Sequence, residues 1–137
     1  MGFILTVEGT TLGVDTIKTV DFAVTTPNDS NAKTTDVAVT ATITGKILTM
    51  LDDGTEGTVD LAKWAMITSE NATCYKNVVI TSTAAGQVVR EYTMPTAFVV
   101  DYTETYDDVE GVGTFKLVVR QKKDKIQTIT VNGGYEA

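Results

Sequence analysis

Histidine is absent from this sequence, and cysteine, proline and aromatic residues are scarce. Its 137 residues include no His, 1 Cys and 2 Pro, and aromatic residues make up 7%. Without histidine the chain has no imidazole for acid–base catalysis near neutral pH and cannot form a Cys/His zinc site, and one cysteine cannot form an internal disulfide. These absences argue against an enzyme. They predict no catalytic residues, no cofactor and no metal ion.

Positive charge and long apolar runs are also in short supply. The formal net charge is −7, from 18 acidic and 11 basic side chains, and this charge repels nucleic acid and anionic membranes. Residues 1–9 lack the basic segment and the apolar length of a signal peptide, and no run approaches the roughly 20 apolar residues of a membrane span. We therefore expect synthesis in the cytoplasm, no direct recognition of nucleic acid and no membrane insertion.

β-Branched residues dominate what is present. The chain contains 26 Thr, 18 Val and 8 Ile, and these residues favour pleated sheet over helix. The clearest strand pattern is at residues 35–46, where Val37, Val39, Ala41 and Ile43 share one face. Alternation and turn residues predict strands at 3–8, 16–25, 35–46, 75–83, 88–94, 97–106, 114–120 and 126–131, with a hairpin turn at 84–87.

A single helix is expected after the turn-rich residues 52–57. Leu61, Trp64 and Ala65 are spaced i, i+3 and i+4, so they form one apolar face, and Asp60 is the expected N-cap. Seven to eight short strands with one short flanking α-helix predict a mainly β fold, an antiparallel β-barrel or closed sandwich, forming one domain over residues 1–137. Long strands such as 37–43 and 126–131 would pair uncontrollably unless closed, covered or paired with another chain, which favours self-association.

Other polar groups allow alternative interpretations. Asp52, Asp53, Glu56 and Asp60 lack the ligand spacing of a calcium loop and are typical of a solvated turn with a helix cap. A hydrolase would need two carboxylates of the 101–110 segment (Asp101, Glu104, Asp107, Asp108 and Glu110) in one pocket. Cys74, with no histidine to activate it, is expected to be a buried structural thiol.

Two polar segments are candidates for contacts between subunits. Residues 26–33 have no large apolar side chain to anchor them, so we expect this loop to reach an adjacent subunit through Pro27, Asn28, Asp29, Ser30 and Asn31. The basic run of Lys122, Lys123 and Lys125 is either a solvated loop or a contact with an acidic patch on a neighbouring copy.

The order of these features resembles a known family. The resemblance is carried by residues 1–9, the polar loop, the 37–43 strand, the short helix at 61–64, the hairpin at 84–87, and segments 92–102 and 113–120. This arrangement is similar to the tube proteins of contractile injection machines: haemolysin-coregulated protein (Hcp) of type VI secretion, inner-tube proteins of extracellular injection systems, and phage tail-tube proteins.

The resemblance implies a structural subunit without enzymatic activity. It implies six-membered rings of identical subunits that stack into a tube for effectors or DNA, with sheath, baseplate or spike proteins and passing cargo as further partners. Such a protein ends up in an injection apparatus, virion or secreted particle. The alternative is a monomeric β-sandwich that binds a ligand through the loops at 26–33 and 54–57.

Overall fold

Antiparallel strands and one α-helix make up most of the described structure. The computed structural model describes residues 1–26, 37–47, 56–108 and 113–134. Two 3-10 helices span Ala72–Cys74 and Lys123–Thr128. The remaining elements are β1 (Gly2–Val7), β2 (Thr10–Leu12), β3 (Ile17–Thr25), β4 (Ala38–Ile47), α1 (Glu56–Ala65), β5 (Lys76–Ala84), β6 (Gln87–Thr105), β7 (Gly113–Gln121) and β8 (Thr130–Gly133).

The sheet folds over on itself to form two layers. Its strand order is β2-β1-β5-β6-β7-β4-β3, and β8 pairs with β6. The first layer consists of β2, β1, β5 and residues 87–97 of β6, and the second layer consists of residues 97–105 of β6 with β7, β4 and β3. β1 and β3 are in contact at the open side, but within the described residues no hydrogen-bond ladder joins them. The predicted antiparallel β-sandwich or barrel is therefore confirmed.

The core lies between the layers. Val39, Ala41 and Ile43 of β4 are buried as the alternation predicts, and they lie beside Leu117 and Val119 of β7. Residues paired across antiparallel strands share a face, so this inward face continues across the second layer. The first layer contributes the buried side chains Leu5, Val7, Leu12, Val78, Ile80 and Met94.

Helix α1 packs on this core through the predicted side chains. Leu61 and Trp64 are 1% and 3% exposed, and the indole Nε1 of Trp64 donates a hydrogen bond to the backbone carbonyl of Cys74 at 2.7 Å. Cys74 is buried, as expected. Trp64 therefore joins the helix to the 3-10 helix before β5.

The start of α1 differs from the prediction. The helix begins at Glu56, so Asp60 lies within it and is not its N-cap. Gly57 lies in the first turn, where a Cβ would lie 3.0 Å from Leu12 Cδ2 of β2. A residue without a side chain allows the first turn of the helix to approach the sheet this closely.

Two predicted strands are one continuous strand in the structure. Pro95 separates the patterns at 88–94 and 97–106, but β6 runs through it. Its register with β5 shifts between Met94 and Ala97, so Pro95 lies in an irregular part of the ladder where its missing N–H breaks no regular pair. The hairpin turn between β5 and β6 is confirmed. Ala85 and Gly86 have φ values of 54° and 76°, the left-handed pair that a two-residue hairpin loop requires.

The predicted strand at 126–131 is mostly wrong. Residues 123–128 form a 3-10 helix, and β8 covers only Thr130–Gly133. The strand at 37–43 is covered within the subunit, because β4 lies between β7 and β3. Among the described residues, the edges of the second layer that offer unpaired backbone groups are on β3 and on the second half of β6.

Candidate assembly surfaces

The three predicted contact lysines lie together at the carboxyl end of β7. Lys122 follows the strand directly, and its Nζ lies 5.3 Å from the centroid of the Tyr75 ring and 3.8 Å from Asp124 Oδ1. Lys123 and Lys125 occupy the following 3-10 helix with exposed side chains. The segment is therefore a defined cationic surface.

A buried glutamine fixes this segment to the sheet. Gln121 is 1% exposed. Its side-chain Oε1 accepts a hydrogen bond from the Thr96 backbone N–H at 3.1 Å, and its Nε2 donates to the Lys125 carbonyl at 2.9 Å and to Thr128 Oγ1 at 3.1 Å. This network holds the 3-10 helix in place of the strand that the Ile and Thr residues suggest.

The other predicted contact residues lie outside the described residues. They are Pro27, Asn28, Asp29, Ser30 and Asn31. Three of the acidic residues weighed above, Asp52, Asp53 and Glu110, lie outside as well. The same is true of residues 27–33 and of residues 54 and 55 in the two loops of the ligand-binding alternative. Residues 56 and 57, which that alternative places in a loop, belong to α1.

One free strand edge lies on the second half of β6. At Ala97, β5 pairs with one edge of β6 and β7 pairs with the other. Beyond this point the pairing with β7 continues to Thr105, whereas positions 98–105 have no strand partner on the β5 side among the described residues. The 98–105 edge therefore presents unpaired backbone groups.

The other free edge lies on β3. This strand pairs with β4 from Ile17 to Thr25, and it ends the strand order. β3 and the second half of β6 are thus the two outer strands of the same four-stranded layer. Sequence patterns missed this feature because it depends on strand order, which alternation does not reveal.

A groove separates the 98–105 edge from α1. It has a volume of about 470 Å³. Met66, just after the helix, is 73% exposed, and Val100 of β6 is 43% exposed. Val100 lies at a register shift between Val99 and Asp101, where the strand departs from regular alternation. The groove is lined by Ala62, Ala65, Met66, Val99, Val100, Asp101, Tyr102 and Glu104.

Tyr102 places a phenol between the groove and the core. Its ring lies 6.3 Å from that of Phe115. Its hydroxyl is buried, and within the described residues it has no hydrogen-bond partner. Burial, together with the nearby Glu104 carboxylate, raises the pKa of Tyr102 to about 12. The phenol therefore stays neutral over the physiological range.

Asp101 and Glu104 are not arranged as an acid–base pair. Asp101 pairs with Val118 and Glu104 with Phe115. Since Phe115 is buried inward and Val118 lies on the other face, the two carboxylates leave β6 on opposite faces. Glu104 also accepts a hydrogen bond from the Tyr106 hydroxyl at 3.2 Å. This arrangement does not support the hydrolase alternative.

The acidic residues around α1 have structural contacts. Asp60 Oδ2 accepts a hydrogen bond from Thr10 Oγ1 at 3.0 Å, which links the helix to β2. Glu8 Oε1 accepts one from the Asn77 backbone N–H at 3.1 Å, and Glu8 Oε2 lies 3.9 Å from Lys76 Nζ.

In the described ranges no group of three His, Cys, Asp or Glu side chains is arranged to hold a metal ion. Likewise, no described helix is long and apolar enough to cross a membrane.

Comparison with known proteins identifies the fold. No protein-family model matches the chain, and neither does any curated protein. Among solved structures, Hcp1 from Flavobacterium johnsoniae matches over 100% of both chains, with 17% identity and a TM-score of 0.64. Two chains of an extracellular contractile injection system also match. One, from the PVC sheath–tube complex, covers 97% of this chain and 89% of its own, with 11% identity and a TM-score of 0.57.

The other comes from the PVC sheath/tube terminator. It covers 96% of this chain and 94% of its own, with 12% identity and a TM-score of 0.58. The alignments span nearly the whole chain, and the resemblance seen in the sequence covers most of it. This chain has the Hcp-like fold that is shared by proteins of contractile injection systems.

Proposed function

We propose that this protein is a structural subunit of the inner tube of a contractile injection apparatus. Its copies form stacked homo-oligomeric rings through which effectors or DNA pass, without catalysis. The fold supports this role, and one observation in the chain itself carries it. A single four-stranded layer has two free edges among the described residues, at β3 and at residues 98–105 of β6.

The directions of these edge strands suit head-to-tail pairing. Each of the three pairs in the layer is antiparallel: β6 with β7, β7 with β4, and β4 with β3. With four strands, β3 therefore runs opposite to β6. A rotated copy can place its β3 beside the 98–105 edge and continue the antiparallel order. Repeating this heterologous contact closes a ring and removes both free edges. Following the resemblance, we expect six copies in a ring.

A cysteine cross-linking series tests this pairing. Thr103→Cys on β6 is combined in one chain with Thr19→Cys, Asp21→Cys or Ala23→Cys on β3. Within one subunit the two positions are separated by three strand spacings, about 14 Å in total, which is beyond the reach of a disulfide. Cross-links therefore form only between subunits. We expect at least one pair to give a ladder of covalent oligomers that ends at the ring size.

A central-strand pair provides the control. Thr42→Cys lies on β4, which has neighbours on both sides, so its combination with Thr103→Cys should give no ladder. Native mass measurement of the unmodified protein gives the number of copies. A protein that stays monomeric at high concentration, with no cross-link from any β3 position, contradicts the proposed function.

The lysine segment is proposed as a second contact between copies. Lys122, Lys123 and Lys125 are held by the sheet through Gln121, and the chain as a whole is acidic. A fixed cationic surface on an anionic subunit favours docking against acidic side chains of another copy. The proposed loop contact through Pro27, Asn28, Asp29, Ser30 and Asn31 stays a prediction from the sequence.

A further inference from the structure

Val24, at the end of β3, is an exposed apolar side chain on the inward face of the strand. It pairs with Val39, and Phe22 pairs with Ala41; both partners on β4 are buried. Val24 and Phe22 therefore leave β3 on its inward face. The Phe22 ring stacks on Tyr92 at a centroid distance of 4.0 Å, whereas Val24 is 55% exposed. Among the described residues, the core therefore leaves Val24 more than half exposed.

The groove beside α1 lies on the same side of the layer. Val99 of β6 pairs with the buried Val119, so its side chain also points inward. Met66 extends from the end of α1 over this side of β6 and is largely exposed. The layer thus has an uncovered apolar side chain at the end of one edge strand and an uncovered apolar groove along the other.

The end of β5 limits how two copies can be aligned. Across the layer, Phe22, Ala41, Val119 and Val99 form one level row. If β3 of a neighbouring copy continued this row, its Phe22 would lie opposite Val99 and its Val24 opposite Ala97. That edge of Ala97 is already occupied by Lys76 of β5. A stagger of two residues avoids the overlap and keeps the inward faces together. It places the neighbour's Val24 opposite Val99, next to Met66.

We propose that Val24 of one copy packs into the groove between α1 and β6 of the next copy, against Met66 and Val99. This inference rests on the proposed function, because it takes the edge pairing as given and specifies its register and its apolar contact. The occupant is a second copy of this chain. The stagger also moves Asp21 away from Asp101, two like charges that would be directly opposite in the level row.

Charge substitutions on the two sides of this contact test the inference. We expect Met66→Glu and Val24→Lys each to reduce ring formation at least tenfold at a fixed protein concentration while the monomer stays folded by circular dichroism. Combining both changes in one chain should restore rings, because every contact then pairs the introduced carboxylate of one copy with the introduced ammonium group of the next. Mixing the two single variants should restore them as well, through alternating subunits.

Exposed valines elsewhere give matched controls. Val59→Glu on α1 and Val88→Lys at the start of β6 introduce the same charges at side chains that are 50% and 43% exposed. Both variants should form rings like the unmodified protein.

The proposed stagger brings position 21 of the neighbouring copy opposite position 103. The Cys pair at positions 103 and 21 should therefore cross-link more efficiently than the pair at 103 and 19.

The outcomes separate this inference from the proposed function. If rings and edge cross-links form normally in Met66→Glu and Val24→Lys, the Val24 contact is wrong and the edge pairing stands. If the single variants lose rings and the combined variant does not regain them, direct packing of the two side chains is also wrong. If the unmodified protein forms no rings and the double-cysteine variants form no cross-links, the proposed function fails first.

Discussion

The side-chain Oε1 of Gln121 accepts a hydrogen bond from the backbone N–H of Thr96, at the point where β6 passes from one layer to the other. The Lys122 N–H donates to the Thr96 carbonyl at 2.8 Å on the same side. Both backbone groups of Thr96 are thus bound by the end of β7. These two hydrogen bonds satisfy the N–H and the carbonyl of Thr96 where β6 changes its strand partners, and they attach the lysine segment at the same place.

Replacing Gln121 should destabilise the fold. Gln121→Ala removes three hydrogen bonds from a buried site and leaves the Thr96 N–H without its acceptor, so we expect a loss of about 2–3 kcal/mol in the free energy of unfolding. Thr128→Val removes one of the three partners and should cost about 1 kcal/mol. Urea denaturation followed by circular dichroism measures both. Equal losses in the two variants would contradict the central role of Gln121.

Trp64 should contribute through both its ring and its N–H. Trp64→Phe keeps much of the buried aromatic surface and loses the hydrogen bond to the Cys74 carbonyl, so we expect a loss of about 1–2 kcal/mol. Trp64→Ala also leaves a cavity and should cost about 3–5 kcal/mol. Denaturation midpoints in urea distinguish the two. A Phe variant as stable as the unmodified protein would show that the indole hydrogen bond adds nothing.

Local periodicity predicted much of the fold, because it reports which face of an element is buried. The alternation at Val39, Ala41 and Ile43 and the helical spacing of Leu61 and Trp64 depend only on neighbours in sequence, and all of these side chains are buried. Periodicity did not give the start of α1, because its first turn lies before the apolar face of Leu61 and Trp64; there Gly57 approaches β2, a contact between residues distant in sequence.

The assembly surfaces were less predictable for the same reason. The basic composition of the 122–125 segment left a solvated loop and a contact with another copy as alternatives. Its 3-10 conformation depends on hydrogen bonds from the buried Gln121 to Lys125 and Thr128, which alternation does not reveal. The free edges depend on which strands are neighbours. The long β-branched strand at 37–43 lies inside the layer with a partner on each edge, whereas a free edge lies at residues 98–105.

The turn between β5 and β6 offers a stabilising substitution. Ala85 has a φ of 54°, a left-handed conformation that costs an alanine about 1–2 kcal/mol, whereas asparagine adopts it more readily. We expect Ala85→Asn to raise the free energy of unfolding by about 1 kcal/mol. Ala84→Asn, at the end of β5, provides the control and should give no gain. An Ala85→Asn variant without any gain would show that the turn is not strained.

The lysine segment should make assembly sensitive to salt and to charge reversal. If Lys123 and Lys125 dock on acidic groups of another copy, Lys123→Glu and Lys125→Glu should each reduce tube length, and raising ionic strength should reduce tube length of the unmodified protein, since salt screens such contacts. Lys63→Glu on α1 makes the same charge change elsewhere and serves as the control. Negative-stain electron microscopy measures tube length, and equal effects at positions 63, 123 and 125 would argue against a specific contact.

Tyr102 should make the folded subunit sensitive to alkali. Its pKa rises from 10.0 in the unfolded chain to about 12 in the folded protein, chiefly because burial disfavours the phenolate. A group with a raised folded pKa contributes its full stability below pH 10, and that contribution is lost as the pH rises towards 12. Tyr102→Phe removes both the titration and a buried hydroxyl that has no partner among the described residues. We therefore expect the Phe variant to be at least as stable at about pH 7 and to lose less stability between about pH 9 and 11, as measured by urea denaturation at each pH; parallel pH profiles for the two proteins would contradict this assignment.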